Sequence, residues 1–163
     1  MRVRRIEADE WERWREFRLG MLADAPYAFG TTLAHASTST EDEWRERTTR
    51  MATTEDQIMF LAEAEDGTWL ASAGGYIEDD GIPNVFSVWT RPDARGHGYA
   101  DACVRSVVEW ARRRGAREVR LWATDTNEAA RRVYDRIGFV PTGTTQPLPS
   151  DPSLTESEYA LPL

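Results

Sequence analysis

The segment from Val85 to Ala100 constrains this chain most, because it joins an apolar strand to a helix through a glycine-containing turn. It reads Val-Phe-Ser-Val-Trp-Thr-Arg-Pro-Asp-Ala-Arg-Gly-His-Gly-Tyr-Ala, which predicts a strand ending at Thr90 and a helix over Gly98–Arg114. The first turn of a helix has unpaired backbone N–H groups and a positive dipole end. Glycines ahead of it let a ligand approach the backbone, and Arg95 adds positive charge. The segment therefore predicts a cradle for a phosphate or pyrophosphate group.

The composition excludes several function classes. All 20 basic residues are arginine, and the chain has no lysine. A P-loop, a protein kinase and a pyridoxal Schiff base each need a lysine, so none of these sites is expected. The one cysteine, Cys103, excludes an internal disulfide, and two histidines do not make a zinc-finger set, so we expect no metal site. The pattern GxGxxG is absent, which argues against a dinucleotide fingerprint.

Length and hydropathy point to one domain over residues 1–163. No apolar run approaches the roughly 18 residues of a transmembrane helix, and the N-terminus lacks an apolar signal core. We therefore expect no membrane segment and a reduced, cytoplasmic compartment.

Hydrophobic periodicity predicts a mixed α/β order over the rest of the chain. Besides Gly98–Arg114, helices are predicted at Glu10–Met21 (capped by Asp9), Glu41–Met51 (with a Thr40/Glu43 capping box) and Asn127–Ile137. Strands are predicted at Met1–Glu7, Gln57–Glu63, Trp69–Ile77, Val85–Thr90, Val119–Ala123, Phe139–Thr144 and Glu158–Leu161. We expect loops at Ala25–Ala36 and Pro147–Pro152, and a bulge at Gly74 and Gly75.

A second segment carries a motif. Residues Asn127 to Phe139 read Asn-Glu-Ala-Ala-Arg-Arg-Val-Tyr-Asp-Arg-Ile-Gly-Phe, which fits the pattern Asn-x-x-Ala-x-x-x-Tyr-x-x-x-Gly-Phe. Residues Arg95 to Ala100 fit Gln/Arg-x-x-Gly-x-Gly/Ala. With both motifs separated by one helix and one strand, the chain resembles the GNAT superfamily of N-acetyltransferases. The resemblance is strong over Val85–Val140 and looser elsewhere.

This resemblance implies an α/β (α+β) fold. The expected sheet is mixed and mostly antiparallel, with about six to seven strands flanked by about four helices. Two central parallel strands splay apart, here Val85–Thr90 and Val119–Ala123. The implied activity is acetyl transfer from acetyl-CoA to a primary amine by direct attack in a ternary complex. The alternative is a non-catalytic module of the same fold that senses acyl-CoA.

The resemblance also assigns roles to residues. Backbone groups of Val88, Trp89 and Thr90 would pair with the pantetheine arm, and one amide there would polarise the thioester carbonyl. Backbone amides from Arg95, Gly96, His97, Gly98, Tyr99 and Ala100 would hold the pyrophosphate. Asn127 and Ala130 would contact the cosubstrate. Tyr134 would be the catalytic acid that protonates the departing thiolate.

The general base stays open. Many relatives carry a glutamate on the strand matching Val85–Thr90, and this chain has no carboxylate there. Glu78, Asp79 or Asp80 acting through water, or bulk solvent, would take the proton instead. The same departure keeps the sensor alternative open.

The charge distribution agrees with these expectations. Val85–Val140 contains 11 Arg against 7 Asp and Glu, while the remainder holds 9 Arg against 21 acidic residues. A positive half suits a polyphosphate ligand, and a negative half suits a cationic acceptor, either a small amine or a protein amine. The acidic balance argues against nucleic-acid binding. Dimers are common in the family, which makes a homodimer an expectation.

Overall fold

The computed structural model describes residues 1–163, which form one sheet of seven strands and five α-helices. The strands are β1 (Arg2–Arg5), β2 (Gln57–Glu63), β3 (Trp69–Ile77), β4 (Pro83–Thr90), β5 (Glu118–Thr124), β6 (Val140–Leu148) and β7 (Asp151–Pro162). The helices are α1 (Trp11–Asp24), α2 (Leu33–Ala36), α3 (Glu41–Thr53), α4 (Tyr99–Arg113) and α5 (Glu128–Ile137). None of the helices combines the length and the apolar composition needed to span a bilayer.

The strand order is β1-β2-β3-β4-β5-β7-β6, and every neighbouring pair is antiparallel except β4 and β5. This confirms the predicted mixed, mostly antiparallel sheet. β4 and β5 pair at two positions only, Asn84 with Arg120 and Val85 with Leu121. Beyond Val85 the two strands separate toward their carboxyl ends, which confirms the expected splayed pair.

The two faces of the sheet carry separate cores. On one face, α4 presents a buried stripe from Cys103 to Ala111, and α5 adds Tyr134. On the other face, the tryptophans of α1 and α3 (Trp11, Trp14 and Trp44) pack over β2 and β3. The helix count exceeds the expected four because α2, a single turn, lies inside the segment predicted as the loop Ala25–Ala36.

Local capping explains where two helices begin. The predicted Thr40/Glu43 capping box is confirmed, since the Thr40 hydroxyl accepts from the Glu43 N–H at 3.2 Å. The predicted cap at Asp9 is wrong: Ala8–Glu10 form a turn of 3-10 helix, and Glu10 accepts from the Glu7 N–H at 2.9 Å. The Glu10 side chain, three residues after Glu7, thus accepts from the backbone N–H of Glu7, as in a capping box.

The predicted bulge falls on the neighbouring strand. Ser72 pairs with Trp89 and Gly74 pairs with Phe86, so β4 carries one more residue than β3 between these pairs. Ser87 sits in this bulge with φ of 53°, a left-handed conformation. Gly74 is required for packing and not for a bulge, because a Cβ at this position would lie 2.5 Å from the Phe86 ring.

The loop predicted at Pro147–Pro152 is also wrong. β6 continues to Leu148, β7 begins at Asp151, and the two form a long hairpin. β6 is the edge strand of the sheet, where a proline without an N–H removes no bond to a further neighbour.

Candidate active site

The turn before α4 takes the shape that its glycines permit. Gly96 and Gly98 have φ of 82° and 77°, and Gly98 is the N-cap of α4. A Cβ added at either position would meet no atom within 4 Å, so the space beside this backbone is open. The Ala102 N–H makes the first bond of the helix, to the Gly98 carbonyl. The N–H groups before it are therefore free to face an anion.

This turn forms one wall of a cavity of about 600 Å³. The cavity opens where β4 and β5 separate, and α5 forms the opposite wall. Ten of the eleven residues predicted to contact the cosubstrate line it: Val88, Trp89, Thr90, Arg95, Gly96, Gly98, Tyr99, Ala100, Asn127 and Ala130. The fold thus brings both sequence motifs to one cavity from segments about 30 residues apart.

His97 is the predicted contact that does not line the cavity. Its Nδ1 lies 2.9 Å from the Arg95 carbonyl oxygen, and its ring stacks on Tyr99 with centroids 5.4 Å apart. The imidazole therefore packs against the turn itself, through Arg95 and Tyr99. The backbone N–H is then the part of His97 that is available to a ligand.

The connection between α1 and α2 closes another side of the cavity, which the sequence pattern did not indicate. Ala25, Tyr27 and Ala28 line the cavity from this connection. It is tied to the end of β5 because the Thr124 hydroxyl donates to the Tyr27 carbonyl at 2.6 Å. No local motif marks such a contact, since its partners are 97 residues apart.

Asp24, at the end of α1, was also missed. Its Oδ2 accepts from the Trp89 indole N–H at 2.9 Å and from the Arg95 guanidinium. The indole donor, with support from Arg95, holds the pKa of the Asp24 carboxyl below its usual range. Arg95 also donates from Nε to the Thr90 carbonyl at 3.2 Å. Arg95 thus locks the strand to the turn, and its charge is shared with Asp24.

The family model described as the acetyltransferase (GNAT) family matches residues 8–139. The chain belongs to this family. Among curated proteins, an uncharacterized N-acetyltransferase of Methanocaldococcus jannaschii is 32% identical over 74 residues, 45% of this chain and 31% of that protein. The chain spans less than a third of the length of the curated relatives it matches.

Solved structures show the same fold. A GNAT acetyltransferase from Streptococcus pneumoniae superposes with a TM-score of 0.84 at 18% identity, covering 99% of this chain and 98% of that one. The yncA protein of Salmonella typhimurium, solved with its cofactor acetyl-CoA, gives a TM-score of 0.77 at 18% identity over 100% and 94% of the two chains.

In this GNAT fold, Tyr134 lies on α5 and belongs to the core that α4 and α5 form on one face of the sheet. It is 5% exposed, and its ring packs edge-on against Phe139 with centroids 5.9 Å apart. Burial raises the pKa of its hydroxyl far above the ordinary range, so the group keeps its proton at neutral pH. Its helix neighbours Ala130 and Val133 line the cavity, whereas Tyr134 does not. Asn127 caps α5 by accepting from the Ala130 N–H at 3.3 Å.

The acidic residues that sequence suggested for the base lie away from the cavity lining. Glu78 accepts from the Tyr76 hydroxyl at 2.8 Å, and Asp80 accepts from the Ile82 N–H at 2.9 Å within its own turn. Both side chains therefore have local structural partners.

Glu156 on β7 is a buried carboxylate that the sequence analysis did not single out. Burial raises the pKa of Glu156, although Gln146 Nε2 donates to it at 2.6 Å. Its Cα partner on β5 is Thr124, the residue that holds the α1–α2 connection. Glu156 belongs to no motif, and the residue pattern of β7 does not indicate that this polar position is buried.

Proposed function

We propose that this chain transfers the acetyl group of acetyl-CoA to a primary amine, by direct attack of the amine in a ternary complex. The observation that supports this most is one cavity holding both an anion-binding helix terminus and an unpaired strand side. A pyrophosphate matches the first, and an amide-containing arm matches the second.

The residues present fit acetyl-CoA. The free N–H groups at the start of α4, reached across Gly96 and Gly98, suit the pyrophosphate. Arg132 and Arg136 add positive charge on the facing helix. Arg132 lies 3.6 Å from Glu128 in an exposed pair, and Arg136 lies 3.9 Å from Asp101, a carboxylate that also lines the cavity. This places cationic charge on both sides of the pyrophosphate subsite.

The pantetheine arm suits β4 beyond Val85. On the side facing β5, this stretch has no strand partner, so its polar backbone groups stay available to a ligand. Val88, Ala94 and Val133 give the adjoining walls an apolar character. An arm that alternates amides with methylene groups matches such a surface.

When bound, acetyl-CoA supplies a thioester carbonyl for an amine to attack, with a thiolate as leaving group. We assign the proton donor for that leaving group to the Tyr134 hydroxyl. It retains its proton at neutral pH because burial raises its pKa, and its oxygen is not among the fully buried polar atoms that lack a partner, so the hydroxyl keeps an open side. A donor that is protonated and unengaged is free to act when a thiolate forms.

The test has two stages. Isothermal titration of acetyl-CoA and of CoA into the chain should give micromolar binding. Release of free thiol should then follow when primary amines are added with acetyl-CoA. Absence of binding to either compound would contradict the acetyltransferase proposal. Tight binding without thiol release for any amine would favour the sensor alternative.

A further inference from the structure

Arg18, on α1, is a partly buried arginine with an unusual set of contacts. Its Nη1 donates to the Ser87 hydroxyl at 3.0 Å and lies 3.2 Å from the Met21 sulfur. Its guanidinium carbon lies 5.0 Å from the centre of the Phe29 ring. A hydroxyl, a thioether and an aromatic face are weak partners for a cation removed from water.

Two other partly buried arginines show what a structural role looks like in this chain. Arg5 donates to three backbone carbonyls, those of Met51, Thr54 and Gln57. Arg4 pairs with two carboxylates, Glu10 and Glu63. Each guanidinium thereby holds distant segments together, with its charge or its donors satisfied. Arg18 has no such set.

The unused donors of Arg18 form one edge. Both hydrogen-bond contacts come from Nη1, which leaves Nε and Nη2 without partners. The polar side-chain atoms that are both fully buried and unbonded belong to Trp69 and Arg120, so the free edge of Arg18 reaches solvent. In this chain, Arg91 uses the same edge to bind both carboxylate oxygens of Asp93, at 3.1 Å and 2.9 Å. Nε and Nη2 of Arg18 have the geometry to bind both oxygens of a carboxylate in the same way.

The charges around Arg18 also call for an anion. Burial and the nearby Arg47 lower the pKa of Arg18 to about 10, so it stays cationic at neutral pH. No carboxylate forms an ion pair with Arg18, whereas Arg95 pairs with Asp24 and Arg47 pairs with Glu43. Arg18 is thus a partly buried positive charge without a counter-ion, and an anion at its free edge would supply one.

Arg18 lies close to the cavity without being one of its lining residues. Ser87, its hydrogen-bond partner, immediately precedes Val88, which lines the cavity. Phe29, which its guanidinium covers, immediately follows Ala28, which also lines it. Phe29 belongs to the core on the α1 face of the sheet, so an acceptor that reaches the cavity from this face would pass close to Arg18.

We propose that Arg18 binds a carboxylate of the acceptor, so that the acceptor is an amine that also carries a carboxylate, as free amino acids do. This inference rests on the proposed acetyl transfer. It narrows the substrate class from primary amines in general to amines with an acidic group near the nitrogen.

The first test needs only the wild-type chain. Thiol release from acetyl-CoA is measured with a series of L-amino acids and with the carboxamide of each. At neutral pH, a larger fraction of the less basic amine of a carboxamide is unprotonated and able to attack, so a preference for the acid cannot come from the supply of neutral amine. We expect kcat/KM to be about tenfold to a hundredfold higher for at least one acid than for its carboxamide. Equal or better use of the carboxamides would overturn the inference.

The second test changes Arg18 itself. Arg18→Met keeps the length of the side chain without the charge, and should remove the preference for the acid while the Tm stays equal or rises. Arg18→Lys should restore part of the preference, through charge without the bidentate edge. Arg15 lies on the same helix, and its guanidinium stacks over Trp11. Arg15→Met is therefore the matched control and should behave as wild type.

The outcomes separate three explanations. An equal loss with acids and carboxamides, together with a lower Tm, would mean that Arg18 only positions the bulge through Ser87 and would contradict the inference. Use of simple amines alone would overturn it while leaving acetyl transfer intact. Failure to bind acetyl-CoA at all would instead contradict the proposed function, independently of Arg18.

Discussion

Replacing Gly98 by aspartate puts a negative charge into the cradle that we assign to pyrophosphate. Gly98 has φ of 77°, and a Cβ added there meets no atom within 4 Å. The new side chain therefore has space and does not clash with the chain. Two separate costs follow, one from the left-handed backbone and one from the charge.

These costs act on different quantities. The left-handed conformation costs a residue with a Cβ about 1 kcal/mol, which lowers the Tm by about 2–4 °C in a chain of this size. That strain is present with and without ligand, so it does not change affinity. A carboxylate about 6 Å from a phosphate, at an effective dielectric constant of about 20, repels it by about 3 kcal/mol. We therefore expect Gly98→Asp to weaken CoA binding about a hundredfold.

Two variants make the assay decisive. Gly98→Asn has almost the same shape and backbone strain but no charge, so it should bind CoA within a few-fold of wild type. Gly115 lies past the far end of α4 with the same φ of 77° and equally open space, so Gly115→Asp should lower the Tm without changing affinity. Isothermal titration of CoA gives each Kd. Wild-type affinity in Gly98→Asp, or equal weakening by Asp and Asn, would refute the placement of the pyrophosphate.

Three further predictions follow from the site. Tyr134→Phe should lower kcat at least tenfold with little change in CoA affinity or Tm, whereas Tyr159→Phe, in the same core, should leave kcat unchanged; equal kcat for both would remove the acid role. Asp24→Asn should raise CoA affinity a few-fold by freeing the charge of Arg95, and weaker binding in titration would contradict this. Burial raises the pKa of Glu156, so the wild-type chain loses stability as the pH rises and this carboxyl gives up its proton. Glu156→Gln should therefore gain more Tm over wild type at about pH 8 than at about pH 4.5, and a gain independent of pH would show that the carboxyl is not perturbed.

Local patterns carried much of the fold. The strands at Gln57–Glu63 and Trp69–Ile77 have the predicted bounds, because the Asp66-Gly67 turn signal between them marks a hairpin. The capping box at Thr40 set the start of α3, since its partners lie three residues apart. One prediction failed because the deciding contact was distant: the bulge expected at Gly74 and Gly75 lies at Ser87 on the neighbouring strand.

The candidate site divides in the same way. Most residues that the two motifs named line one cavity, because each motif is a continuous strand–turn–helix or helix segment whose geometry is local. Asp24 and Tyr27 escaped notice because they act on the site through contacts 65 and 97 residues away along the chain. Residues of such common types outside any motif do not indicate a site in the sequence, and only the fold shows that they lie beside the cavity.

By itself, therefore, the sequence determined the family, the order of most elements and the anion-binding turn, since these depend on residue spacing within one or two elements. The tertiary structure decided which side chains are desolvated and which are paired. Arg5 and Arg18 are the same residue type in sequence, yet the fold gives Arg5 three carbonyls and leaves one edge of Arg18 without a partner. Burial and pairing depend on contacts between distant segments, and those contacts form only when the whole sheet is assembled.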